Sequence, residues 1–394
     1  MSKRVLHTTI LILILALVLL PHRVHLYVPA TTPVVLLFNH SENTIKNSLS
    51  QKIVHTGNPI KIIQLGDSHV QAGFISKTLK GLLAQRFRTH YVSPGMVFPC
   101  SVMGTHSPVE YTSYHKGKWE FQKVNGASNP LDAGVFGSYV ETSDCLATLS
   151  FTLKPNANFD ASVNRVAVYY HSASPDAAPI LLEPKCSKTI LAEHAIEFEL
   201  DGDADSIAVG FLLKNGSPIT VYGLNLWNTK TQFIVSSAGL NGATMHGFTL
   251  ARQLTSNLGS FNPDLIIVSL GTNDAYSNSF DSLNFSNDLE SLMSQLRHAL
   301  PNSLVMFTTP NDHLLNRKSA NTRVQVAANV IKVISTKHQI PVWDFYSLMG
   351  GKGSIQRWIR HGLAAPDGVH LTAKGYQLQG ELFYLALFNS GFIE

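Results

Sequence analysis

The stretch Ile62–Gly73, I-I-Q-L-G-D-S-H-V-Q-A-G, constrains this chain more than any other. It opens as a short apolar run, Lys61 to Leu65, and breaks at Gly66. A buried parallel strand that stops on a glycine has this pattern. An acid, a serine and a histidine follow, then Gly73, then helical spacing from Phe74 to Arg88. The order predicts strand, tight loop, helix. It puts Ser68 at the carboxyl end of a strand, the edge where open α/β sheets bind ligands. Gly, Asp and Ser are also common turn residues, so an ordinary turn is the alternative for this stretch taken alone.

The same rhythm resumes far downstream. Phe233 to Ser237 and Asp264 to Leu270 read as strands, each followed by glycine within two residues. Ser303 to Thr308 and Pro341 to Phe345 read as two more. Helical spacing is expected from Gly242 to about Leu258, and over Asp288–Leu300, Asn321–Lys337 and Thr372–Phe388. Strands alternating with helices imply a parallel sheet covered on both faces. Between Glu110 and Trp227 no helix is expected. Alternating runs stand there instead, at Ala147–Leu153, Asn164–Tyr170, Ile196–Leu200, Ser206–Leu212 and Ile219–Leu226. Turn residues separate them, which suggests a β-sandwich or jelly roll. The fold class expected is α/β, interrupted by an all-β insertion that folds as a unit.

Composition narrows the partners. The net charge of +4 over 394 residues is small, and no basic stripe with interleaved aromatics is present, so nucleic acid is not expected. The three cysteines, Cys100, Cys145 and Cys186, form no C-x-x-C, so no metal site is expected and at most one disulfide. Lys3 and Arg4 precede an apolar run from Ile10 to Leu20. That run is shorter than the about 20 residues of a membrane span and fits the core of a secretory signal. Residues 5–20 are equally a candidate inner-membrane anchor. Residues from about Pro29 to Asn58 read as a linker and a short surface helix.

Four polar groups fall on or beside the expected sheet edge: Ser68, Gly242, Asn273, and the pair Asp367 and His370. Serine is a weak nucleophile until a base takes its proton. His370 can be that base, and Asp367 can hold its ring in the right tautomer. Acyl transfer also needs donors for the developing oxyanion. The Ser68 N–H, the Gly242 N–H and the Asn273 side-chain amide can supply them. Gly242 has no Cβ, so backbone and substrate can come close. Each signature alone has an ordinary alternative: a surface loop for D-x-x-H, a turn for G-T-N-D. Their joint occurrence in one order carries the assignment.

These four stretches resemble the blocks of the SGNH/GDSL hydrolases: G-D-S at 66–68, G-x-x-G at 239–242, G-x-N-D at 271–274 and D-x-x-H at 367–370. The resemblance covers about Lys61 to Arg88 and Thr231 to the end. It implies a three-layer flavodoxin-like domain, no cofactor, and esterase or related deacylase chemistry. It makes Ser68 the nucleophile, His370 the base, Asp367 its orienter, and Ser68, Gly242 and Asn273 the oxyanion hole. Asp67 is then structural. His69 stands where the family name has leucine. With the β insertion after the first block, the chain resembles the periplasmic peptidoglycan O-acetylesterases, which implies an acetylated glycan substrate. The division expected is 1–30 for a signal peptide or signal anchor, 31–109 and 229–394 for the hydrolase domain, and 110–228 for the insertion.

Other residues have two readings each. Asp274 is expected to hydrogen-bond within its loop. Thr308, Thr309, Pro310, Asn311 and Asp312 either line an acceptor pocket or form an ordinary strand-ending turn. His69 is expected to pack beside the nucleophile without entering catalysis. Trp119, Tyr169, Tyr170 and Trp227 could stack on sugar rings, but core packing is the expectation.

Overall fold

A computed structural model describes residues 58–192, 195–213 and 216–393. The expected export signal and linker lie outside the described residues. Among those described, no helix is long and apolar enough to cross a membrane.

Six strands form an all-parallel sheet in the order Val342–Trp343, Leu304–Thr308, Leu265–Ser269, Ile60–Gly66, Phe233–Gly239, Val92–Ser93. Alternate residues of each strand serve opposite faces. Ile63, Leu65, Ile266 and Val268 pack with the helices Leu254–Phe261, Ser282–Ala299 and Thr322–Lys337. Ile60, Ile62, Leu265 and Ile267 pack on the other face with Phe74–Phe87 and Ala373–Asn389. The result is the three-layer, flavodoxin-like α/β domain. The strand Ile60–Gly66 sits inside the sheet with Gly66 level with Gly239 and Ser269, so three loops leave the edge side by side.

Side-chain caps fix where several helices start. Asp281 accepts from the Asn284 N–H, which begins a helix at Ser282, six residues before the spacing suggested. Asn321 and Thr372 cap the next two long helices in the same way. Asp344 caps a short helix Phe345–Met349, so the strand there shrinks to Val342–Trp343. The helix expected up to Leu258 is two pieces, Met245–Thr249 and Leu254–Phe261. A further helix, Ser354–Arg360, was not expected.

The chain leaves the parallel sheet at Ser93 and, one residue later across Pro94, enters an antiparallel sheet at Gly95–Val97. That strand pairs with Leu224–Leu226 of Ile219–Trp227. Val163–Ser172, Ala195–Ala204 and Cys186–Ala192 extend the sheet on one side, Ser138–Thr142 and Glu120–Lys123 on the other. A four-stranded sheet, Tyr111–Lys116, Thr148–Leu153, Ser206–Leu212 and Ala178–Glu183, faces it. Phe151, Val209 and Phe211 from one sheet and Val166, Val168 and Leu224 from the other share a core. All five expected strands are present. Strands such as Glu120–Lys123 escaped notice because every residue of E-F-Q-K is exposed, which leaves no alternation to read. The three cysteines are free.

Candidate active site

Gly66 must be small. A Cβ there would lie 2.3 Å from Val70 Cγ2 and 2.6 Å from the Ser269 carbonyl oxygen. Asp67 then turns the chain. Its Oδ1 accepts from the His69 N–H at 3.0 Å and caps the four-residue helix Ser68–Gln71. Burial pushes the Asp67 carboxyl up to about 6, although the His69 N–H, the Thr272 hydroxyl and His370 pull the other way. Ser68 is the first residue of that helix, at the open edge.

Ser68 Oγ lies 2.8 Å from His370 Nε2, though the two are 302 residues apart in sequence. His370 Nδ1 lies 2.7 Å from Asp367 Oδ2. Asp367 Oδ1 accepts from the N–H groups of Val369 and His370 at 2.9 and 3.0 Å. Burial alone would raise the Asp367 carboxyl. Those two N–H groups and the His370 ring outweigh it and hold the group below the usual carboxylate range. An ionised Asp367 fixes Nδ1 as the protonated nitrogen and leaves Nε2 free to accept the serine proton.

Asn273 and the Gly242 loop are tied to each other. Asn273 Nδ2 donates to the Ala243 carbonyl at 2.9 Å, which ties its helix, Thr272–Tyr276, to the Gly242 loop. Nδ2 carries a second hydrogen. Gly242 has φ +78°, so a glycine suits the turn itself. Its missing Cβ also leaves room for Asn125: a Cβ would lie 2.8 Å from Asn125 Nδ2. A side chain at 242 would thus strain the turn and displace the Asn125 amide of the antiparallel part.

The remaining residues fall into support. His69 is buried, with Nδ1 2.9 Å from the Tyr376 hydroxyl and its ring 5.2 Å from that of His370. Burial, then the neighbouring His370, lowers it to about 3, so it is a neutral spacer. Asn311 donates to the Val369 carbonyl at 3.0 Å and braces the D-G-V-H loop from below. Thr309 binds Asp344 and Asp312 accepts from the Ile355 N–H, so these residues are buried and held by partners outside their own segment. Tyr169 is buried, Trp119 packs edge-on against Phe211 at 5.4 Å, and Tyr170 and Trp227 pack partly buried on the core. Among the described residues no cluster of His, Cys, Asp and Glu could hold a metal ion.

Asp274 accepts from the Met245 N–H with both oxygens, at 3.0 and 3.3 Å. Desolvation pushes it up to about 7. Its folded value exceeds the unfolded one. Its contribution to stability is therefore full below about pH 4 and is lost as pH rises through 7. Asp274→Asn should remove that loss, which amounts to at most about 1.4 kcal/mol per pH unit. Melting midpoints between pH 5 and 8 should fall less in the variant than in the wild type. Parallel profiles would show that Asp274 is ionised throughout.

Two supports had no signal in the sequence. Gln71 Oε1 accepts from the Asn241 N–H at 2.7 Å, and Gln71 Nε2 donates to Thr105 Oγ1 at 3.0 Å and to the His106 carbonyl at 2.9 Å. Asn241 Nδ2 also donates to Thr105 Oγ1, at 3.0 Å.

The model of the GDSL-like lipase/acylhydrolase family matches residues 205–378. The match contains Gly242, Asn273, Asp367 and His370 and begins inside the antiparallel part, while Ser68 stands outside it. A solved structure described as a peptidoglycan O-acetylesterase in action is 21% identical and covers 90% of this chain and 98% of its own, with a TM-score of 0.74. A family two carbohydrate esterase from Cellvibrio japonicus is 12% identical over 72% of this chain and 100% of its own, with a TM-score of 0.30. A catalytic mutant of an acetylxylan esterase from Geobacillus stearothermophilus is 16% identical over 41% of this chain and 74% of its own, at 0.32. The last two scores are too low to carry any argument. No curated protein matches. The family match contains the loops of Gly242, Asn273, Asp367 and His370, and the fold agrees with the first of these structures over nine-tenths of the chain: the chain is similar to carboxylic ester hydrolases of the GDSL-like lipase/acylhydrolase family.

Proposed function

We propose that the protein is an exported esterase that removes O-acetyl groups from a cell-wall glycan, peptidoglycan in particular. The observation that carries the chemistry is the line Ser68 Oγ, His370 Nε2, His370 Nδ1, Asp367 Oδ2, with steps of 2.8 and 2.7 Å. Ser68 Oγ attacks the ester carbonyl carbon while His370 Nε2 takes its proton. The carbonyl oxygen becomes anionic and accepts from the Ser68 and Gly242 N–H groups and from Asn273 Nδ2. His370 then protonates the leaving sugar oxygen, and an acetyl-serine remains. Water, deprotonated by the same histidine, attacks that ester and releases acetate and free Ser68.

The choice of glycan is supported by the likeness of fold, antiparallel part included, to a protein described as a peptidoglycan O-acetylesterase. Lys3, Arg4 and the run Ile10–Leu20 support export. The test is acetate release from O-acetylated peptidoglycan, set against acetylated xylan and a short p-nitrophenyl ester. Peptidoglycan should give the highest kcat/KM. Faster turnover of xylan would move the enzyme to another polysaccharide, and acetate appearing on an added sugar would make it a transferase. Cell fractionation belongs to the same experiment: recovery in the cytosol alone would remove the cell-wall reading.

A further inference from the structure

The carbonyl of Asn241 and the N–H of Gly242 belong to one peptide unit. That unit is planar and trans, so its C=O and N–H point in opposite directions. Whatever holds the carbonyl also aims the N–H. The Asn241 carbonyl is held by Asn125 Nδ2. Asn125 belongs to the antiparallel part: it follows the strand Glu120–Lys123 and the buried Val124. Val124 anchors the position. Its N–H donates to the Gly137 carbonyl at 2.9 Å, and its Cγ2 lies 3.1 Å from where a Cβ on Gly247 would stand. The other side of Asn241 is held as well, its N–H by Gln71 and its side chain by Thr105.

We propose that Asn125 is a positioning residue for the oxyanion hole, acting through the Asn241–Gly242 peptide plane. This rests on the esterase reading of the same site. At φ +78° a glycine has little steric preference to keep its preceding peptide in one orientation. The Asn125 bond supplies that preference. A hydrogen bond accepted at the carbonyl also polarises the amide and makes its N–H a better donor. The antiparallel part thereby enters the chemistry itself, for small esters as much as for polymer. Among the described residues the buried Asn125 Oδ1 has no hydrogen-bond partner, so the bond from Nδ2 is the polar contact described for this side chain.

The test compares Asn125→Ala with Asn125→Asp on a short acetyl ester. Loss of one oxyanion donor costs roughly 10²–10³ in turnover. Loss of its alignment should cost about tenfold to a hundredfold in kcat, with KM within about twofold of wild type. Affinity for a boronic acid, which binds serine as a tetrahedral anion, should fall by a similar factor. A merely structural role would lower the melting midpoint and the amount of active enzyme without that parallel. Should the alanine variant fail to fold, Asn125→Asp keeps the shape, removes the donor and faces the same comparison. Wild-type kcat in either variant, or a fall in kcat with unchanged boronate affinity, overturns the proposal. Ser68→Ala separates the two ideas. If that variant still releases acetate, the reading of this site with Ser68 as nucleophile fails; if it is inactive while Asn125→Ala is normal, only the role of Asn125 fails.

Discussion

Ser68→Ala should abolish acetate release while leaving the melting midpoint in place. Ser68 Oγ bonds only to His370 Nε2 among the described hydrogen bonds, so its removal costs little in packing. His370→Ala should lose about as much, because a nucleophile and its base act as a unit. Asp367→Asn should also be severe, on the order of 10⁴ in kcat, since an amide favours the wrong histidine tautomer. Asn273→Ala should be milder, at roughly 10²–10³. A sulfonyl fluoride should label Ser68 and no other serine, and the label should vanish in His370→Ala. Wild-type activity in Ser68→Ala, or a label on a different serine, would end the assignment.

The largest effect on folding is expected at Gly239. A Cβ there would lie 2.1 Å from the Gln71 nitrogen, 2.6 Å from its Cα and 2.7 Å from the Asp67 carbonyl oxygen. All three are backbone atoms of the nucleophile loop, so no rotamer change relieves the overlap. Overpacking costs about 1–3 kcal/mol, occasionally more, and Gly239→Ala should sit at or above the top of that range. Gly259→Ala is the control. It lies in the helix Leu254–Phe261 and a Cβ there meets nothing within 4 Å, so the melting midpoint should hold or rise slightly. A Gly239→Ala protein that melts like the wild type would mean that the two loops do not meet backbone to backbone.

Much of this arrangement was legible in the chain. Gly66, Asp67 and Ser68 follow one strand, Asn273 lies just beyond another, and Asp367 and His370 share one loop, so short-range spacing carries them. The short apolar runs Lys61–Leu65 and Asp264–Leu270, each ended by a glycine, predicted both strands before any contact was known. What stayed hidden depends on partners far off in sequence. Gln71 meets Asn241 across 170 positions, Asn125 meets it across 116 and Thr105 across 136. A glutamine in a helical turn and an asparagine before a glycine look like any surface residues until the fold supplies the partner. The edge strands stayed hidden for a different reason. Residues such as Glu120–Lys123 owe their conformation to one neighbouring strand, so their own side chains carry no record of it.

The step across Pro94 has a mechanical consequence. Outgoing and returning chains are laced on both sides of that step. Val92 and Ser93 pair with Phe233 and Ile234, and Gly95 to Val97 pair with Leu226 to Leu224. The Ser93 hydroxyl accepts from the Asn228 N–H, and the Met96 N–H donates to Ser236 Oγ. A hinge needs a few residues whose dihedrals can swing unpaired. Here both strands of the joint are already committed. A displacement of the antiparallel part therefore strains this seam of hydrogen bonds and reaches the strand Phe233–Gly239 directly. The stretch of backbone that fastens the antiparallel part thus leads straight into the loop that carries Gly242.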